Sequence, residues 1–250
     1  MFLTIQEMAF NYPGRTVLKD INLQVQKGEC LAVLGTNGVG KTTLLKCINR
    51  ILKPQKGTVL VENVETLKLS RLDLARRVGY VSQHQDIPQV TVFDAVLLGR
   101  KPYIKWDISR QDLQIANQAL EMLGLNDYAM RYLHELSGGE LQKVVIARAL
   151  AQEPEVLLFD EPTSSLDLKN QFEVLRIIQQ VVKAKEMAAI ITMHDLNLAV
   201  RFADKFLFLK QGAIFSAGGL EVITPENIES VYSIPVAVQQ YGAVPVVIPL

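Results

Sequence analysis

The sequence is short of cysteine, of net charge and of long apolar runs, and each shortage removes a class of protein. Cys30 and Cys47 are the only cysteines in 250 residues, and each falls inside an apolar strand or helix pattern. Two inert buried thiols are expected there, rather than a disulfide or a metal pair. Lys plus Arg and Asp plus Glu balance at 26 each, which argues against a chain built chiefly to grip nucleic acid. No apolar run approaches the roughly 18 residues of a membrane span; the longest, "AAIITM" and "FLFL", have strand length. The N-terminal "MFLTIQEMAF" has no basic leader ahead of an apolar block, so no signal peptide is expected and the chain reads as soluble and cytosolic. Internal repeats, low-complexity tracts and sustained heptads are missing too.

What is present is a large apolar fraction, 49% of residues, arranged in short blocks. "LTIQEMAFNY" and "TVLKDINLQVQ" alternate apolar with polar residues and predict half-buried antiparallel strands. "CLAVLG", "EVLLFDEP" and "AAIITMHD" are continuous apolar runs, as strands buried on both faces require. A helix over "TTLLKCINRIL" closes at Pro54, "GTVLVENV" predicts one strand, and "LDLARRV" and "VGYVSQ" predict a short helix and a strand. From Thr91 to Gln152 the pattern is helical throughout. A long helix, a hairpin at "KFLFLKQGAIFSAG", a helix at "PENIESVYSI" and a strand pair around Tyr241 and Gly242 complete the chain. The expected fold is α/β: a mostly parallel sheet wrapped by helices, with an antiparallel edge and an inserted helical subdomain. A single domain is expected, its core made of residues 1–84 and 153–250 and its helical part of 85–152.

"GTNGVGKT" fits G-x-x-x-x-G-K-[ST] and lies between a buried strand and a helix, as that motif demands. Its glycines let successive N–H groups face a phosphate, Lys41 supplies a point charge for the β- and γ-oxygens, and the Thr42 hydroxyl can ligate Mg²⁺. Gly35, Thr36, Asn37, Gly38, Val39, Gly40, Lys41, Thr42 and Thr43 are the candidate phosphate-binding residues. Asp160 ends a buried strand, where its carboxylate can hold Mg²⁺ through water; Glu161 follows and can accept a proton from an attacking water. A second glycine pair, Gly138–Gly139, follows Ser137 at the start of another helix, and paired glycines at a helix N-terminus also suit an anion.

In combination these motifs, with "LSGGE" at 136–140, resemble the nucleotide-binding subunit of ATP-binding-cassette (ABC) transporters over nearly the whole chain. The resemblance implies a phosphate-loop NTPase core of the ABC ATPase type, an ATPase that uses ATP and Mg²⁺ and pairs as a homodimer. Each ATP would lie between one copy's phosphate loop and the other copy's Ser137, Gly138, Gly139 and Glu140, the last standing where many members have Gln. It further implies Glu161 as the catalytic base, Gln83 as the glutamine sensing Mg²⁺ and the attacking water, and His194 as the switch histidine. Asp167 would belong to the loop communicating across the dimer, and Tyr12 would be the aromatic stacked on adenine. By periodicity alone Tyr12 could equally be a core residue.

A DNA-maintenance ATPase of this superfamily would insert a coiled coil between Lys41 and Ser137, and none is there. A translation factor would carry two cassettes, and a fused exporter would carry spans. "TVFDAVLLGRKPY" with "HDLNLA" resembles cassettes of metal-chelate importers (ferric siderophore, haem or cobalamin), with molybdate as an alternative cargo. Implied partners are transmembrane permease subunits and, indirectly, a substrate-binding protein; no nucleic acid is expected. The implied location is peripheral, on the cytoplasmic side of the cell membrane. The permease is expected to dock after Gln83, along residues 84–105, with Arg100, Lys101 and Tyr103 as contacts.

Overall fold

The computed structural model describes residues 2–83, 88–242 and 244–250. Strands β1 (Leu3–Tyr12) and β2 (Arg15–Val25) form an antiparallel pair that sets Leu3 opposite Val25 and Tyr12 opposite Arg15. β4 (Lys56–Val61) pairs with the other edge of β1, after β3 (Cys30–Leu34) and α1 (Lys41–Ile48) have intervened. The single strand expected at "GTVLVENV" is a hairpin instead. Glu62 and Asn63 take φ of 47° and 63° and turn the chain into β5 (Val64–Glu65), because Asn and tight turns tolerate the left-handed region that a continuous strand excludes.

The chain continues through α2 (Arg71–Arg77), β6 (Val78–Val81), α3 (Val92–Leu97), α4 (Arg110–Met122), α5 (Gly138–Ala151), β7 (Val156–Asp160), α6 (Leu168–Ala184) and β8 (Ala188–Thr192). It ends with α7 (Leu196–Phe202), β9 (Lys205–Lys210), β10 (Ala213–Gly218), α8 (Pro225–Tyr232), β11 (Val236–Tyr241) and β12 (Val244–Pro249). Among the described residues the main sheet runs β10-β9-β3-β8-β7-β6, parallel except for β10. Its strands alternate between two apolar cores. Leu31, Val33, Leu158 and Ile190 join α1 and the antiparallel sheet on one face. Ala32, Leu34, Leu157 and Phe159 join the helices on the other. A parallel sheet covered on both faces must be apolar on both, which explains the unbroken runs.

Two further expectations need correction. Helix α1 ends at Ile48, short of the predicted Leu52, because Arg50 turns left-handed at φ 56°. Its guanidinium is fixed there by the carbonyls of Thr66 and Leu69 at 2.7 and 2.8 Å. Arg100 is not a surface contact either. It is 3% exposed, with Nε 3.0 Å from Asp112 Oδ1 and Nη1 2.8 Å from both Glu153 Oε2 and the Ala151 carbonyl. Its charge belongs to the interior of the helical region, because a buried guanidinium persists only with its donors satisfied. Tyr103 is half-buried against the Arg100 guanidinium, 4.0 Å from its ring centroid, and its hydroxyl donates to the Gln152 carbonyl. Lys101 alone of the three is exposed, and residues 84–87 lie outside the described residues.

Candidate nucleotide site

All five parallel strands point the same way, so the segments leaving β3, β6, β7 and β8 gather along one edge of the sheet. Such strand ends are where open α/β sheets bind ligands. Residues 35–40 leave β3 and enter α1. Gly40 is the N-cap, at φ 117°, and a Cβ there would stand 3.0–3.1 Å from Leu18 and Val17. Only glycine fits both the angle and the space. Among the described residues no side chain caps α1, so the N–H groups of its first turn keep their capacity for an outside acceptor, and the helix dipole favours an anion. A cleft of about 230 Å³ opens over this turn, lined by Tyr12, Arg15, Asn37, Lys41, Thr42 and Glu161 among others. Tyr12 is 42% exposed at its mouth and makes an edge contact with Phe10; it is not a core residue.

Lys41 is buried, and its ammonium donates to the carbonyls of Gly35 and Thr36 at 2.8 and 3.2 Å. Burial lowers its pKa, against the opposing pull of Glu161 and Asp160. Val39 packs against the neighbouring core and Thr43 is buried; these two support the loop from behind.

Asp160 is 2% exposed and accepts three hydroxyls. Thr42 and Thr192 donate to Oδ1 at 2.9 Å each, and Tyr80 donates to Oδ2 at 3.2 Å. Burial and the Asp160 charge push the Tyr80 phenol far up, so it stays a donor. Thr42 and Asp160 together offer hard oxygen donors beside the phosphate cradle, and few protein ligands suffice for Mg²⁺, which keeps several waters and phosphate oxygens. The residues present fit that ion. Glu161 takes a left-handed φ of 49°, uncommon for a residue with a side chain and frequent at functional turns. Its N–H donates to Thr192 Oγ1 at 2.9 Å. Gln83 Nε2 donates to one Glu161 carboxylate oxygen at 2.7 Å, and His194 Nε2 pairs with the other. The Glu161 side chain is 13% exposed and that of His194 40%.

The second glycine pair is built differently. Ser137 caps α5 in a reciprocal box: its N–H and hydroxyl donate to Glu140 Oε2 at 2.8 and 2.7 Å, while Glu140 N–H returns to Ser137 Oγ. The Ser137 hydroxyl holds the Glu140 carboxyl below its ordinary range. Gly139 is pressed against Asn170, 2.6 Å from where a Cβ would lie. Asp167 caps α6, accepting Asn170 N–H at 2.8 Å. Among the described residues, nothing from Ser137 to Glu140 lines the cleft over α1. Gly35–Thr43, Gln83, Asp160, Glu161 and His194 are thus gathered at one edge, with Tyr12 at its mouth, while Ser137–Glu140 contribute nothing to that cleft. Tyr80, Thr192 and Arg15, whose Nη2 donates to the Gly38 carbonyl at 3.1 Å, were not signalled by any motif.

Residues 18–164 match the family described as ABC transporter. The chain belongs to the ABC transporter family. It is 53% identical over its full length to an uncharacterized ABC transporter ATP-binding protein of Methanocaldococcus jannaschii, covering 98% of that protein. It is 36% identical to the iron(3+)-hydroxamate import ATP-binding protein of Bacillus subtilis, over 93% of this chain and 88% of the relative. A solved ABC transporter described as of metal-chelate type, in an inward-facing conformation, superposes with a TM-score of 0.88 at 33% identity. That match covers 100% of this chain and 97% of the other. ABC transporter ATP-binding subunits are ATPases, and this one carries the family's ABC ATPase fold.

Proposed function

We propose that this ABC ATPase powers the import of a metal chelate, of the ferric siderophore, haem or cobalamin type, through separate membrane subunits. The observation that carries the enzymatic part is the Glu161 carboxylate, held by Gln83 and His194 at the rim of the cleft that Lys41 and Thr42 line. ATP places its β- and γ-phosphates on the uncapped turn of α1. Lys41 gives up its loop carbonyls for phosphate oxygens, and Tyr12 stacks on the adenine. Glu161 takes the proton of the attacking water, while Gln83 and His194 aim its two oxygens. Mg²⁺, held by Thr42, Asp160 and Gln83, would supply charge neutralisation at the phosphates.

The cleft has no wall on the side of the γ-phosphate drawn from Ser137–Gly139, so in this reading a second copy brings them. The working unit is a homodimer with two shared sites, across which the Asp167 loops meet. Residues 85–152 act as the lobe carrying the signature, and residues 1–84 and 153–250 as the core. Among the described residues no helix is long and apolar enough to cross a membrane. The chain works peripherally, at the cytoplasmic face, where the permease docks. The docking groove is drawn from residues 84–105 after Gln83 and, beside them, from a cleft of about 710 Å³ between α1, α2 and the end of α5, lined by Arg50, Lys53, Leu67, Arg71, Leu74 and Gln152 among others. The substrate-binding protein acts across the membrane and never meets this chain.

The test is Glu161→Gln. It is expected to keep ATP binding, to dimerise with ATP on a sizing column, and to lose about a hundred- to ten-thousand-fold in turnover. Near-normal hydrolysis overturns the assignment of the base. Reconstituted with permease and binding protein, the wild type is expected to hydrolyse ATP faster with ferric siderophore, haem or cobalamin than with molybdate.

A further inference from the structure

The C-terminal segment reaches the nucleotide machinery at two points that no motif marks. The first is Tyr232, the last residue of α8. Its phenolic oxygen accepts the N–H of Gly35 at 3.0 Å. Gly35 opens the phosphate loop in a tight seat: its φ is 147°, and a Cβ would stand 2.5 Å from the Leu209 carbonyl. The phenol is half-buried, and burial pushes its pKa up to about 12. It therefore stays neutral throughout the physiological range, an acceptor that adds no negative charge beside a phosphate site.

The second point is Asn197, in the first turn of α7. Its Nδ2 donates to the Val247 carbonyl at 3.1 Å, and its Oδ1 accepts the Val247 N–H at 2.8 Å. One side chain thus satisfies both backbone groups of a residue in β12. Helix α7 begins directly after His194, capped by Asp195, whose Oδ1 accepts the Leu198 N–H at 3.0 Å. Between the two points the segment is firmly held. Ile228 and Val231 of α8, Val236 of β11 and Val247 of β12 all enter one apolar core. Val236 N–H donates to Glu229 at 3.2 Å, and Leu250 N–H to the Pro235 carbonyl at 3.0 Å. One packed segment therefore touches the first N–H of the phosphate loop and the helix behind the switch histidine.

We infer that Tyr232 is a positioning residue for ATP binding, and that α8 with the β11–β12 hairpin is a brace holding the start of the phosphate loop in register with the His194 turn. The inference rests on the reading of these two elements as the ATP site. With the acceptor gone, the Gly35 N–H loses its only side-chain partner among the described residues, and the loop is free to leave the geometry that its phosphate contacts need.

The experiment compares three variants in steady-state hydrolysis and in binding of a fluorescent ATP analogue, using the full chain assembled with its membrane subunits. Tyr232→Phe keeps the ring and its packing. It is expected to raise the ATP KM and the analogue Kd about five- to tenfold, with kcat at saturating ATP within about twofold of wild type. Leu120→Ala, a buried residue of α4 that belongs neither to the brace nor to the lining of the cleft, is expected to lower the melting temperature and leave KM unchanged. Asn197→Leu, which releases β12 from α7, is expected to raise KM in the same direction. A purely structural Tyr232 would lose active protein and stability without moving KM. A Tyr232→Phe KM within twofold of wild type would overturn the inference, and an Asn197→Leu KM equal to wild type would detach the hairpin from the brace. Failure of the wild type to bind or hydrolyse ATP would instead strike the underlying reading of the site.

Discussion

Thr42 and Asp160 are 118 residues apart in sequence, yet the hydroxyl of one lies 2.9 Å from the carboxylate of the other. The contact joins the first turn of α1 to the end of β7, and it brings together the oxygen donors assigned to Mg²⁺. Asp160→Asn keeps a carbonyl oxygen for Thr42 but loses the charge. It is expected to weaken Mg²⁺ affinity about ten- to a hundredfold, seen as a rightward shift in the Mg²⁺ dependence of hydrolysis. A curve superposing on wild type would remove Asp160 from the cation site.

Shared sites predict complementation between defective chains. A Lys41→Ala chain and a Ser137→Ala chain are each expected to be nearly inactive alone. Mixed, they form dimers in which one of the two sites is intact, and hydrolysis is expected to return in part. Sites complete within one chain could not be rebuilt this way, so the absence of any regain on mixing speaks against a site split between copies.

Arg100 predicts a stability effect where a surface residue would show none. Arg100→Glu would place a carboxylate against Asp112 and Glu153 in a site now 3% exposed. Breaking a buried pair costs about 3–5 kcal/mol, so the urea midpoint is expected to fall markedly. An unchanged midpoint would contradict the buried placement. Lys101→Glu, on the exposed neighbour, is the control and is expected to leave the midpoint alone.

The same cluster gives a pH dependence of defined sign. The Asp112 carboxyl is held below its ordinary range by the Ser109 hydroxyl first, and by Arg100 as well. A carboxyl with a depressed folded pKa binds its proton less readily folded than unfolded. Its stabilising contribution is therefore complete above the ordinary carboxylate range and is lost as pH falls through the depressed value. Asp112→Asn is expected to flatten this part of the acid limb of stability against pH, read as urea midpoints between neutral pH and acid.

Much of this arrangement was legible in the residues because the local pattern and the chemistry coincide. "GTNGVGKT" after an apolar run announces strand, turn and helix together, and the acidic pair at 160–161 stands where a buried strand must end. The parts that stayed hidden depend on long-range partners. Arg100 reads as a surface cation until Asp112 and Glu153, 12 and 53 residues away, are seen to enclose it. Tyr80 and Thr192 look like ordinary strand residues, and only the register of β6 and β8 against β7 turns their hydroxyls onto Asp160. The end of α1 is not legible locally because Pro54 is a visible stop, whereas the left-handed turn at Arg50 is held by carbonyls from a later loop. Tyr232 had no signal at all, since its partner is a backbone N–H 197 residues away.

The reciprocal bonding of Ser137 and Glu140 has a consequence for how two copies would meet. Because the start of α5 is already closed by its own carboxylate, with Gly139 wedged on Asn170, the lone chain has no loop left to order at that corner. Closure then resembles the meeting of two finished faces, and little of its free energy goes into folding. Backbone amides at Glu140 and Leu141 should accordingly resist hydrogen exchange in the monomer nearly as well as in the nucleotide-closed pair. The protection gained on closure should be concentrated at the phosphate-loop turn, where α1 begins without a cap.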